Sequence, residues 1–423
     1  MKRIMLGSTL SLAFTCVSTQ ALAAGFALNE QSISGMGVGF AGRSSAADDA
    51  STVFGNPAGM SRLKREQVTG GVTFLNAYSD ISHVSSSPNG GTSQGDMVPF
   101  VTVPMGFYVK PINEQWAIGV GVYAPFGLVA DYENGFAGKY FGSKSEVQVI
   151  SLQPTVSYSF NDYISIGFGP TFNHIEGTLE SDLSLTQAAP DGEVHIKGTD
   201  TALGYNIGIL AQLTNSTRAG LTYHSKVDYT LEGDTHVNYG LLSAAGLSPN
   251  QKYDASLDVT TPESVDFSVT HELNDQWTLY AGSTWTRWSR LKEISVQNDG
   301  VPGALVTQFG EITEDQNWHD TWAHAIGVSY QLNKQWVLRT GLSIDQSPTN
   351  NVDRSPRIPT GDRQIFSLGA GWSPTDDLTI DLAYSYLKEE AVTVNNRNEL
   401  GQTYNAEYEN WANGFGIGAT YRF

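Results

Sequence analysis

The sequence predicts an all-β protein: a transmembrane antiparallel β-barrel of fourteen strands with an N-terminal luminal hatch, a plug folded inside it. Three observations carry the prediction. Long segments alternate strictly between apolar and small or polar residues. Aromatic residues gather near the ends of these segments. Very short turns alternate with long polar connections along the chain.

The first element is a leader. "MKRIMLGSTLSLAFTCVSTQALA" starts with Lys2 and Arg3, continues with a short apolar run and ends in Ala21-Leu22-Ala23. This reads as a secretory signal over 1–23, with the mature chain beginning at Ala24. The run is too short to span a bilayer. Cys16, the sole cysteine, lies within it, so no disulfide or thiolate metal site is expected in the mature chain. Without Lys2 and Arg3, 22 basic residues face 43 acidic ones, a net charge of −21. That balance argues against a nucleic-acid partner.

Residues 24–65 follow. "SGMGVGFAGRSSAA" and "DDASTVFGNPAGM" are rich in small residues and centred on a proline, so they suit neither a long helix nor a strand. Leu28, Ile33, Met36, Phe40, Val53, Phe54 and Met60 are enough to pack, but not enough for a separate domain. A barrel of this size has a lumen that wall side chains cannot fill. A segment folded into that lumen accounts for both facts.

Residues 66–423 carry the strands, expected near 66–80, 98–110, 115–124, 145–160, 163–179, 201–214, 217–232, 254–272, 276–296, 319–333, 335–346, 362–373, 377–391 and 410–423. One repeating pattern marks many starts: "INEQWAIGVGV", "FNDYISIGFGP", "LNDQWTLYAGS", "LNKQWVLRTGL" and "PTDDLTIDLAY". Asn and Asp accept tight turns, and alternation follows. In 202–213 the apolar phase is Leu203, Tyr205, Ile207, Ile209, Ala211 and Leu213. In 218–233 it is Leu221, Tyr223, Val227, Tyr229 and Leu231. A transmembrane barrel turns this phase to lipid and the other to the lumen. Trp116, Tyr163, Trp277, Trp336 and Trp372 form the expected interfacial girdle. Closure follows because lipid offers no partner to an unpaired ladder. The last strand, "NGFGIGATYRF", ends on Phe423, which resembles the assembly signal of outer-membrane barrels.

From Ala24 onward the chain resembles the FadL-type long-chain fatty acid transporter family. The matching stretches are Ala24-Gly25-Phe26, Leu28-Asn29-Glu30, Ala47-Asp48-Asp49-Ala50 and Asn56-Pro57-Ala58, then "YAPFGL", "GYNIGI", "GLTYHSKVDYTLEG", "TWTRWS", "IDQSP", "RSPRIP" and "DRQIFSLGAGW". The resemblance implies passive uptake of hydrophobic molecules across the bacterial outer membrane. Capture is at outer loops, a pocket lies near the hatch, and exit is sideways through the wall by the third strand. It implies ligand contact for Phe26. It sets Asn56, Pro57 and Ala58 against the third strand as gating residues, and Pro125 and Gly127 at that strand's outer end. His319 falls where the family carries a basic residue, and Glu176 falls where some members carry an arginine. That departure weakens fatty acids relative to other lipophiles such as aromatic hydrocarbons. Lys226, Arg339, Arg354, Arg357 and Arg363 are further candidate cations. Leu241 and Leu242, in "GLLSAAGLSP", are candidates for the capture groove.

Enzyme motifs are missing: there is no G-x-S-x-G, H-E-x-x-H or P-loop. No catalytic residue, metal or cofactor is expected. A general porin fits poorly with a plugged lumen. The expected partners are a long-chain fatty acid or similar lipophile, outer-membrane lipid and lipopolysaccharide, and the expected state is a monomer.

Overall fold

The computed structural model describes residues 25–423 apart from 89, 184–190, 239–249 and 304. The leader and the loop leucines Leu241 and Leu242 lie outside the described residues. A single antiparallel sheet contains nineteen ladder segments. Five strands are interrupted, so the segments make fourteen strands. They are β1 (Gln67–Ser87), β2 (Val101–Pro111), β3 (Trp116–Asp131), β4 (Lys144–Ser159), β5 (Ile164–Leu183), β6 (Gly192–Thr214) and β7 (Thr217–His224 with Val227–Asn238). They continue as β8 (Asn250–Thr261 with Ser264–Glu272), β9 (Trp277–Thr286 with Glu293–Asp299), β10 (Glu311–Asp315 with Thr321–Gln331), β11 (Trp336–Asp345), β12 (Arg363–Trp372), β13 (Leu378–Glu389 with Val392–Arg397) and β14 (Thr403–Arg422). β14 pairs with β1 from Gln67↔Arg422 upward, which closes the sheet and removes both edges.

The short turns repeat one device. Asn113, Asn161, Asn274 and Asn333 each accept two backbone N–H groups with the side-chain oxygen, two and three residues on, at 2.8–3.1 Å. Trp116, Tyr163, Trp277, Trp336 and Trp372 stand exposed at this rim, and Trp336 stacks on Trp372 at 6.0 Å. This is the interfacial position that an amphipathic ring prefers. Above it, Ile164, Ile166, Phe168 and Phe172 of β5 and Leu203, Tyr205, Ile207 and Ile209 of β6 face outward. Their neighbours Ser165, Thr171, Asn173 and Asn206 are buried inward.

The structure corrects the sequence reading in two places. Leu221 and Tyr223 lie on the outer phase of β7, but Val227, Tyr229 and Leu231 are buried inward. The interruption at 225–226 reverses the facing of every later side chain. β8 does the same at 262–263: Phe267 is exposed, while Tyr253 and Ala255 are buried. The outer half of the lumen is therefore apolar on this side. Second, several strands run further outward than expected. β1 reaches Ser87, β6 starts at Gly192, and β13 and β14 continue pairing to Arg397↔Thr403. These extensions are held by ladder bonds in mostly polar sequence, which carries little hydropathy signal.

Candidate functional site

Residues 25–65 fill the lumen's waist. They contain α1 (Ile33–Gly37), α2 (Thr52–Gly55) and a 3-10 turn (Pro57–Arg62). Ser32 caps α1 by accepting from Gly35 N at 3.1 Å. The segment meets the wall where the wall is glycine. A Cβ at Gly341 would lie 2.2 Å from the Val38 carbonyl carbon, and one at Gly208 would lie 1.9 Å from Asn56 Oδ1. The high glycine content of the luminal phase thus permits close backbone approach. Polar ties complete the seat. Ser45 hydrogen-bonds Thr270 at 2.7 Å, Thr222 Oγ1 donates to Gly55 O at 2.9 Å, and Arg218 Nε donates to Ser45 O at 3.2 Å.

Asn56, Pro57 and Ala58 are not against the third strand. Pro57 lies over Gly167 of β5 and Asn56 over Gly208 of β6. Asn56 Nδ2 donates to Ser44 O at 2.7 Å and to Ile209 O at 3.0 Å, while its Oδ1 accepts from Ala58 N at 3.0 Å. β3 is touched instead by Val53 and Met60, which pack at Gly119. The glycines of β5 and β6 leave room for a backbone turn, and that room decides where the motif docks.

Pro125 and Gly127 lie within β3, not at its outer end. Pairing with β4 runs to Tyr123↔Ser151 and resumes at Phe126↔Val149, so one extra residue is accommodated. On the other side, β2 pairs with β3 only up to Gly106↔Val122. Beyond that point the two strands diverge until Asp131 N donates to Met97 O at 2.7 Å. The N-terminal segment takes up the backbone groups this gap frees. Leu28 N donates to Pro125 O and Gly127 N donates to Phe26 O, both at 2.8 Å, and Gln31 Nε2 donates to Ala124 O. The wall therefore has an interruption between β2 and β3, closed by Leu28 and by side chains such as Val101, Val103 and Ala124.

Two of the cavities among the described residues flank the N-terminal end of the hatch. The outer one, about 860 Å³ with its mouth, is lined mainly by apolar groups including Phe26, Leu128, Val147, Ile175, Leu231 and Val259. The inner one, about 1180 Å³ with its mouth, lies beside the hatch and includes Leu28, Phe40, Arg43, Tyr123, Pro125 and His224. Between them stands an aromatic cluster. Phe26 lies 4.9 Å from Trp288, 5.6 Å from Phe126 and 6.0 Å from Trp318, centroid to centroid. Phe26 is 5% exposed, and Trp288 borders the inner cavity.

His319 is exposed and lines neither cavity, whereas Trp318 beside it is buried in the aromatic cluster. Both lie in the interruption of β10 between Asp315 and Thr321. The five other candidate cations are all engaged. Lys226 pairs with Asp228, Arg339 with Asp381 at 2.6 Å, Arg357 with Glu314 at 2.8 Å and Arg363 with Glu389 at 2.7 Å. Arg354 is held by Thr349, Asn351 and the Thr393 carbonyl. Arg357 also borders the outer cavity, but it donates besides to Ser145 Oγ and two carbonyls.

The sequence reading did not select Arg43, Trp288 or Trp318. "TWTRWS" marks Trp288 as a motif residue without showing which way it points. Arg43, in "GFAGRSS", is one of four cations in 24–65 with Arg62, Lys64 and Arg65, and the sequence does not show which of them reaches a cavity.

Comparison with known proteins places this architecture. The family model described as "Outer membrane protein transport protein (OMPP1/FadL/TodX)" matches residues 14–423. A long-chain fatty acid transport protein of Escherichia coli O6:H1 is 29% identical over 451 aligned positions, covering 100% of this chain and 99% of that one. Outer membrane protein P1 of Haemophilus influenzae is 28% identical, with 98% and 99% covered. The crystal structure of a Pseudomonas aeruginosa FadL homologue superposes with a TM-score of 0.84 at 25% identity, covering 94% of this chain and 99% of that one. The toluene transporter TbuX of Ralstonia pickettii shares the fold at a TM-score of 0.68 and 17% identity. A closed fourteen-strand barrel, a lumen filled by its own N-terminus and a family match over nearly the whole length agree: the chain belongs to the OMPP1/FadL/TodX family of outer-membrane transport proteins.

Proposed function

We propose that this protein takes up long-chain fatty acids passively, without turnover or cofactor. The lipophile enters the outer cavity from the loop side, passes the Phe26 cluster into the inner cavity, and leaves sideways between β2 and β3 into the membrane core. The single observation that carries this reading is the continuity of three features. An apolar outer chamber, an aromatic partition and a hatch-lined inner chamber adjoin in order, and the last borders the interruption beside Pro125. A lipophile following that route never enters bulk water, so its apolar surface stays out of water throughout. Residues 25–65 act as the plug that keeps the lumen from leaking. The nearly apolar outer chamber also suits uncharged lipophiles such as aromatic hydrocarbons, and this is the second reading. Growth of a deletion strain on oleate as sole carbon source separates the two. Loss of growth, restored by the gene in trans, supports fatty acid uptake. Unimpaired growth points to another hydrophobic substrate.

A further inference from the structure

We propose that Arg43 of the hatch is the carboxylate-binding residue of the inner cavity, which makes this protein selective for acidic over neutral lipophiles at that stage. The inference rests on the uptake reading above and adds the group that recognises the substrate's charged end. Arg43 Nη2 donates to Asn29 Oδ1 at 2.6 Å, and its guanidinium carbon lies 5.6 Å from the centroid of the Phe40 ring. Among the described residues no carboxylate lies within 4.0 Å of it. The neighbouring luminal arginines, in contrast, hold Glu272, Asp381 and Glu389.

A partly buried guanidinium carries five donors and no acceptor, and the bond to Asn29 leaves most of that capacity open. The cavity it lines mixes polar groups such as Thr171, Asn173 and Asn206 with an apolar wall of Leu28, Phe40, Phe54, Phe126 and Trp288, on which a chain can lie. It holds two acids, Asp266 and Asp345. Asp266 accepts from Ser44 Oγ and from Thr284 Oγ1, the latter at 2.6 Å. Neither Asp345 nor Glu30 comes within 4.0 Å of Arg43. A guanidinium with open donors beside an aromatic wall suits a monoanionic amphiphile: its carboxylate takes two guanidinium N–H groups while its chain lies on that wall. Leu28 and Pro125 line the same chamber, so a headgroup at Arg43 sets the ligand next to the β2–β3 interruption. Asn29 and Phe40, which position the guanidinium, belong to the same hatch segment, so the recognition element is part of the plug itself.

The test uses dibrominated stearate and its methyl ester, added to the purified protein in lipid nanodiscs. Bromine quenches nearby tryptophans, and Trp288 borders the chamber. Arg43→Gln is expected to weaken binding of the acid at least about tenfold and to change ester binding less than about twofold, because a charge-assisted hydrogen bond is lost and apolar contact is kept. Arg43→Lys restores most of the acid binding. Equal loss of acid and ester in Arg43→Gln overturns the assignment, since it marks a structural role, and so does acid binding at the wild-type level. Wild-type protein that binds neither ligand overturns the uptake reading and the assignment together. Faster migration of unheated than of heated protein on a gel reports barrel closure in each variant.

Discussion

Asn56→Ala removes three hydrogen bonds at the centre of the hatch seat. Two are donations from Nδ2, to Ser44 O within the hatch and to Ile209 O on the wall, and the third is the Oδ1 cap on Ala58 N. Asn56 is 1% exposed, so water does not replace these partners. At about 1 kcal/mol net per bond, the local opening free energy of residues 44–62 falls by about 3 kcal/mol. Under fast reclosing, amide exchange at Ala58 and Gly59 then accelerates about 100- to 200-fold. Asn56→Asp keeps the acceptor for Ala58 N but loses both donations and turns a carboxylate toward two carbonyls, so it accelerates exchange further. Hydrogen–deuterium exchange by mass spectrometry in detergent reads both variants. Wild-type protection of 44–62 in Asn56→Ala refutes the reasoning, because it means that packing on Gly167 and Gly208 holds the hatch alone.

Phe26→Ala merges the two cavities by deleting the ring at the centre of the aromatic cluster. It should weaken binding of dibrominated stearate about tenfold, with Phe26→Leu close to wild type, as tryptophan quenching can establish. Gly341→Val forces a side chain against the Val38 backbone, at a cost of about 1–3 kcal/mol to hatch docking. Raised ion conductance in planar bilayers is the expected result, with Gly303→Val, at a glycine with open space around it, as the silent control.

The membrane-spanning parts of the strands were legible in the sequence because a lipid-facing phase and a luminal phase differ in hydropathy at period two. Leu203, Tyr205, Ile207 and Ile209 against Asn206 and Gly208 show this well. The same rule misplaced Val227, Tyr229 and Leu231. An interruption that reverses facing leaves the residue spacing intact, and an apolar lumen wall looks like a lipid face. The outer extensions of β1, β6 and β14 were invisible because their pairing rests on backbone bonds. The site was legible in part. Phe26, expected from the resemblance to touch ligand, lies in the aromatic cluster and borders the outer cavity. His319 lies exposed in the interruption between Asp315 and Thr321, next to the buried Trp318. Arg43 could not be ranked, since a cation's value as a ligand depends on which carboxylates the fold brings within reach. Glu272, Asp381 and Glu389 go to other arginines.

The central claim is that the lipophile leaves through the wall between β2 and β3. Deleting Pro125 removes the extra residue between Tyr123 and Phe126, so that β3 can pair with β4 without a register shift and straighten toward β2. Uptake of radiolabelled oleate by cells carrying this variant, measured beside stearate binding by the purified protein, tests the claim most directly. Binding is expected to persist while uptake falls to the level of the deletion strain. Uptake at the wild-type rate through a barrel with a sealed wall would contradict it.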